Sequence, residues 1–168
     1  MTGVNLWIKY KVIGIIHTPF KTPKGTPIQP KGAQGAEGIV EVFPEYTQGL
    51  KDLEGFSHII LIYHFHLVRQ TKLLVKPYMD NCEHGIFATR APPRPNPIGL
   101  SVVRLIKVEG NKLYVKNIDV VDGTPLLDIK PYVPEFDTPL EEVKIGWLKT
   151  KIHKLPQTKD DGRFIYSK

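Results

Sequence analysis

Cysteine is almost absent from this chain. Cys82 stands alone, so no intrachain disulfide can form, and a reducing cytoplasm is the expected setting. Long apolar runs are missing too. The most hydrophobic stretch, "IILIYHF" from Ile59 to Phe65, is interrupted by His64 and is far too short for a membrane span, so no membrane association is expected. The N-terminal "MTGVNLWIKYK" has no cationic head leading into a long apolar stretch, and no signal peptide is expected there. Acidic residues are the minority charge, 17 against 23 Lys and Arg. The resulting net charge of +6 favours polyanionic partners, RNA, DNA or nucleotide-like ligands. The Gly-rich "GTPIQPKGAQGAEG" contains neither G-K-[ST] nor G-x-G-x-x-G, so it matches neither the phosphate loop nor the dinucleotide fingerprint.

What is present is a globular composition, 41% hydrophobic and 24% charged over 168 residues, sized for one domain with its own core. Fifteen prolines and fourteen glycines punctuate short strand-like segments, which predicts an all-β or β-dominated domain. Strands are expected at Tyr10–His17, Gly38–Phe43, Ser57–Val68, Leu73–Val75 and Gly85–Thr89. A hairpin is expected from Ile98–Val108 and Lys112–Val120, turning at Gly110-Asn111. In the long strand the odd positions Ile59, Leu61, Tyr63, Phe65 and Leu67 are all apolar, which marks them as one face. "DGTP" at Asp122–Pro125 turns the chain into "LLDIKPYV". Tyr46, Leu50 and Leu53 share a helical face, and Leu140, Val143, Trp147 and Leu148 predict a closing C-terminal helix. So many strands with short turns favour a single closed β-barrel, which leaves no exposed edge. Its core is expected over residues 10–134, with 135–168 as an extension.

The segment "ATRAPPRPNP" is stiffened in advance. Proline fixes φ and pushes the preceding residue toward extended geometry, so Arg90 and Arg94 sit on a pre-organised stretch that loses little entropy on gripping an anion. A guanidinium suits phosphate and carboxylate. A rigid but inert loop and a polyproline peptide ligand are the other readings. His64 with His66, and Cys82 with His84, have i, i+2 spacing. No carboxylate follows His66 in "LVRQTK", so no metal site is expected. Asp119, in "NIDVVDG", lies among Ile118, Val120 and Val121, where a carboxylate needs a partner. Arg90, Arg94 or a ligand could supply it.

"FSHIILIYHFH", "GIFATRAPPRPNPIGLS" and "IDVVDGTPLLDIKPY", in that order from about Val12 to Val133, resemble the TsaA-like family. Its characterised members are tRNA methyltransferases. They use S-adenosylmethionine to methylate N6 of threonylcarbamoyladenosine at anticodon-loop position 37 of threonine tRNA. The resemblance implies a β-barrel methyltransferase assembled as a homodimer, acting in the cytoplasm. It also implies a cofactor site formed by Pro27, Ile28 and Gln29 ("PIQP"), His66 and Leu67 ("HFHL"), Arg90 ("FATR"), Leu100 ("IGLS"), and Ile118 and Asp119 ("NIDV"). Relatives often carry arginine where this chain has Ile28, and longer relatives carry a further C-terminal domain. Arg94 and His66 are the catalytic candidates. Arg90 or Arg94 would meet an anionic substrate group, and His66 would serve as base. A non-catalytic RNA-binding barrel, and a methyltransferase acting on a small molecule or another RNA, are the alternative functions.

Overall fold

Alternation of apolar and polar residues, broken at glycine and proline, produces eight strands among the described residues. The computed structural model of the chain describes residues 6–165. The ends of the expected domain, residues 1–5 and 166–168, lie outside the described residues. The strands are β1 (Gly14–His17), β2 (Glu37–Val42), β3 (His58–His64), β4 (Leu74–Val75), β5 (His84–Gly85), β6 (Ile98–Glu109), β7 (Lys112–Lys116) and β8 (Thr124–Pro131). Six of them form a closed antiparallel barrel in the order β1-β2-β7-β6-β3-β8, with β8 pairing back onto β1. β4 and β5 make a separate two-stranded ribbon.

The barrel is filled from the faces that the alternation predicts. Ile59, Leu61 and Tyr63 of β3 are buried, and Val103, Leu113 and Leu126 meet them from β6, β7 and β8. Gly110, at φ +59, turns the β6–β7 hairpin. At the top of β3 the packing is tight. A Cβ on Gly99 would collide with the Tyr63 ring and come within 2.8 Å of Cζ of Phe65, so the tyrosine can lie inward only because its β6 neighbour has no side chain.

Several element boundaries differ from the sequence expectation, each for a local reason. β1 covers only the last four residues of the expected first strand; Ile13 still bonds Leu126 and Phe43, and Tyr10 and Val12 stand exposed ahead of it. β3 stops at His64 because Pro97, which accepts the Phe65 amide (2.7 Å), has no N–H to return the bond, and the His66 amide bonds back to His64. His64 and His66 therefore do not share a strand face. Residues 44–55 form two 3₁₀ turns, Pro44–Leu50 and Leu53–Gly55, interrupted by left-handed Asp52. Leu50 and Leu53 still bury their shared face. Ile86–Ala88 is also a 3₁₀ turn rather than strand, and β7 ends at Lys116, before left-handed Asn117.

The closing helix starts later than its apolar spacing predicts. Leu140 is fully exposed, and Gly146 takes φ +54 in the middle of the expected helix. The chain instead makes a one-turn α1 (Pro134–Asp137) and two 3₁₀ helices, Gly146–Thr150 and Ile152–Gln157. This extension folds back over the barrel mouth. Pro27 and Lys159 form an antiparallel bridge, the Gly25 amide donates to Asp160 O (2.7 Å), and Asp160 N returns a bond to Thr26 O (2.8 Å). Phe164 enters a second small core with Val75, Ile86 and Ala91.

Gly99→Ala should lower stability by about 1–3 kcal/mol through overpacking against Tyr63. Gly49→Ala, where an added Cβ meets nothing within 4 Å, should stay within about 0.5 kcal/mol of the parent. Denaturant melts of the two variants check the pair.

Candidate active site

At one end of the barrel, β1, β3 and β7 finish while β2, β6 and β8 begin. A cleft of about 1030 Å³ opens there and continues onto the neighbouring wall. That volume is at the upper limit of a single small-molecule site, with room for a second group beside a cofactor. Pro27, Ile28, Gln29, His66, Leu67, Arg90, Arg94, Leu100 and Asp119 all line it. Ile118 does not. Its side chain is fully buried in the barrel core, against Gly38.

The proline-rich segment forms one lip of this cleft. Arg90 is exposed there, and its Nη1 donates to Oε1 of Gln29 (3.0 Å), tying the lip to the loop around Pro27. Arg94 has a duty that the sequence did not reveal. Its Nη1 donates to the carbonyl oxygens of Thr89 (2.8 Å) and Ile86 (3.1 Å), with a longer contact to Ala91 (3.4 Å). The guanidinium thus ties together three carbonyls of one bend and holds the lip in shape while facing the cleft. The Trp147 indole donates to Ala88 O (2.8 Å), so the C-terminal extension braces the same lip from outside.

Beneath the lip runs a chain of polar groups. Ser101 Oγ donates to Asp119 Oδ1 (2.6 Å), and the buried Tyr63 hydroxyl bonds Ser101 Oγ (2.9 Å). With Ser101 giving its proton to Asp119, the Tyr63 hydroxyl is the donor to Ser101. Burial pushes the Asp119 carboxyl up to about 7. The Ser101 hydrogen bond, its own backbone amide and the Arg90 charge only partly oppose that rise. Burial, reinforced by the Asp119 charge, also drives the Tyr63 phenol far up, so it stays protonated. Tyr63 reads in the sequence as one more apolar position of β3. Ser101 closes the string "IGLS", where only Leu100 drew attention. A hydroxyl at an inward-facing strand position was the available signal for both residues.

Burial, with His64 beside it, holds the His66 imidazole below the usual histidine range, so it is neutral at pH 7. The other candidate metal ligands separate. His84 pairs with Asp80 (3.1 Å) and stacks on Trp147 (4.6 Å between ring centroids), whereas Cys82 is exposed. Among the described residues, no group of three or more His, Cys, Asp or Glu could hold a metal ion.

Residues 15–138 match the sequence model of the tRNA-methyltransferase O N-terminal domain. The chain belongs to this family. A probable S-adenosyl-L-methionine-binding protein of Pyrococcus abyssi is 63% identical over 95% of this chain and 86% of its own length. The human tRNA (adenine(37)-N6)-methyltransferase is 37% identical over 76% of this chain, but only 30% of the human protein is covered. The crystal structure of TrmO from Pseudomonas aeruginosa superposes with a TM-score of 0.70 at 38% identity, covering 84% of this chain and 63% of that one. The chain thus spans less than two thirds of the Pseudomonas structure. The match to the family domain ends at Thr138, before the segment that braces the lip.

In this member of the tRNA-methyltransferase O family, Asp119 couples stability to pH. The unfolded carboxyl releases its proton near 3.8 and the folded one near 7, so the folded state binds more protons between those values. Stability therefore falls as pH rises from about 4 to about 7 and levels off above. Asp119→Asn should match the parent near pH 4 and exceed its stability at pH 8, by no more than about 4 kcal/mol. Melting temperature against pH for both proteins is the measurement.

Proposed function

We infer that the protein is an S-adenosylmethionine-dependent tRNA methyltransferase that modifies N6 of threonylcarbamoyladenosine at anticodon-loop position 37. The observation that carries this reading is a convergence in one cleft. The Pro27–Gln29 loop, the Arg90 lip and the deep Asp119 carboxyl meet there, all within residues matched to the family. The residues fit the cofactor chemically. Ser101 satisfies only part of the Asp119 carboxylate's accepting capacity, which leaves room for a hydroxyl or ammonium group. Pro27, Ile28, Leu67 and Leu100 supply apolar contact around it.

The cofactor, when bound, supplies an electrophilic methyl group. The chain's contribution is alignment, because an in-line displacement gains most from a nucleophile held at near-attack distance. The carbamoylated N6 is part of a urea and is a weak nucleophile until its proton is withdrawn. Neutral His66, at the edge of the cleft, is in the form that accepts a proton. Arg90 is the freer of the two lip cations and suits a carboxylate or phosphate on the substrate. Arg94 faces the same space with part of its guanidinium committed to the lip.

A cytoplasmic homodimer completes the reading. Exposed Ile98 and Leu100 on the outer face of β6, with half-buried Ile60 and Ile62 of β3 beside them, favour a second copy against that wall. Among the described residues no helix is long and apolar enough to cross a membrane.

Bulk tRNA incubated with labelled S-adenosylmethionine should take up label at a single adenosine, identified by sequencing the labelled species. Label in a small molecule or at another RNA position would replace the acceptor. Absence of any calorimetric heat with the cofactor would return the protein to a non-catalytic RNA-binding barrel. Arg90→Ala should lower transfer about 10- to 100-fold, the effect of losing one charge-assisted contact, with the fold intact by circular dichroism.

A further inference from the structure

A lysine-rich stretch lies between two acidic pairs, Glu141-Glu142 and Asp160-Asp161. Residues 143–159, "VKIGWLKTKIHKLPQTK", contain five lysines and no acidic residue. The same segment forms part of the cleft wall: Trp147, Leu148, Ile152 and Leu155 all line it.

The two 3₁₀ helices separate apolar from basic residues. With three residues per turn, Ile152 and Leu155 stack in one row that faces the cleft, while Lys151 and Lys154 stack in the next. Lys151 is drawn to Asp80 (3.5 Å), and Lys159 Nζ donates to Gly32 O (2.8 Å), so these two fasten the segment down. Lys144, Lys149 and Lys154 are exposed, and among the described residues no carboxylate lies within 4 Å of their ammonium groups. Two nearby acids are engaged elsewhere, while Glu141 and Glu142 stand exposed on the N-terminal side of the segment. Asp80 is held down to about 2 by His84, its neighbouring backbone amides and Lys151, and Asp161 is paired with Arg163.

We propose that Lys144, Lys149 and Lys154 form the RNA-backbone contact of this protein, holding the phosphates on either side of a nucleotide whose base enters the cleft. This rests on the tRNA methyltransferase reading above. A single-stranded loop fits such a surface better than a duplex does, because its bases can be splayed out while its phosphates follow a basic groove. The anchoring is supplied within the chain, by a segment that lies beyond the family domain.

The test uses the full-length protein with Lys144→Gln, Lys149→Gln and Lys154→Gln combined, and a control with Lys51→Gln and Lys112→Gln. Lys51 and Lys112 lie at the opposite end of the barrel, where Glu54 bonds the Val108 amide and the β6–β7 hairpin turns. Binding of bulk tRNA is measured across a salt series, together with calorimetric affinity for S-adenosylmethionine and methyl transfer. The triple variant should lose about tenfold or more in tRNA affinity, with a log–log salt slope shallower by about 2 to 3. The control should match the parent. Cofactor affinity should be unchanged in both. A triple variant with parental tRNA affinity and slope overturns the assignment of this face, whatever its activity. Equal weakening in the control overturns it in favour of diffuse attraction. A parent protein that binds tRNA in the expected salt-sensitive way but transfers no methyl group to it overturns the enzymatic reading and leaves this surface standing.

Discussion

A carboxyl group set deep at the end of a closed barrel is the constraint around which the site is built. Asp119 loses most of its hydration there, and its raised pKa measures how incompletely the fold compensates. What compensation exists comes from Ser101, oriented in turn by Tyr63, whose ring fits only because position 99 is glycine. Four residues on three different stretches of chain therefore stand or fall together. A group kept partly unsatisfied is costly to a fold, and such sites commonly persist where a ligand supplies what the protein withholds.

The lip opposite is rigid for two separate reasons. Its prolines narrow the backbone choices before folding, and Arg94 then bonds the Thr89 and Ile86 carbonyls that the bend brings together. Arg90, a few residues away, carries the same charge but among the described residues is fastened to Gln29 alone, so it keeps more freedom toward a ligand. Two arginines on one short segment thus have different work, and the difference arises from backbone geometry rather than from residue type.

Much of this was legible in the sequence. The apolar alternation of β3 and the Gly-Asn turn of the β6–β7 hairpin gave the barrel. The resemblance carried by "PIQP", "FATR" and "NIDV" named residues that the fold gathers around one cleft. The rest depended on contacts between distant segments. Tyr63 looks like core because its ring is core, and only the meeting of β3 with β6 shows where its hydroxyl goes. Ile118 sits next to Asp119 yet faces the barrel interior, since neighbouring residues in extended chain point opposite ways. The C-terminal apolar spacing was helical by count, but Gly146 breaks it, and its true partners lie on the lip and on the loop after β1.

The bridge between Pro27 and Lys159 joins the loop after β1 to the extension that follows the barrel. The six barrel strands pair with one another and end at Pro131, so the ladder closes without the extension. The wall formed by Trp147, Leu148, Ile152 and Leu155 is an addition to that self-contained scaffold. A chain cut short after the barrel would keep its core but have a mouth open on one side.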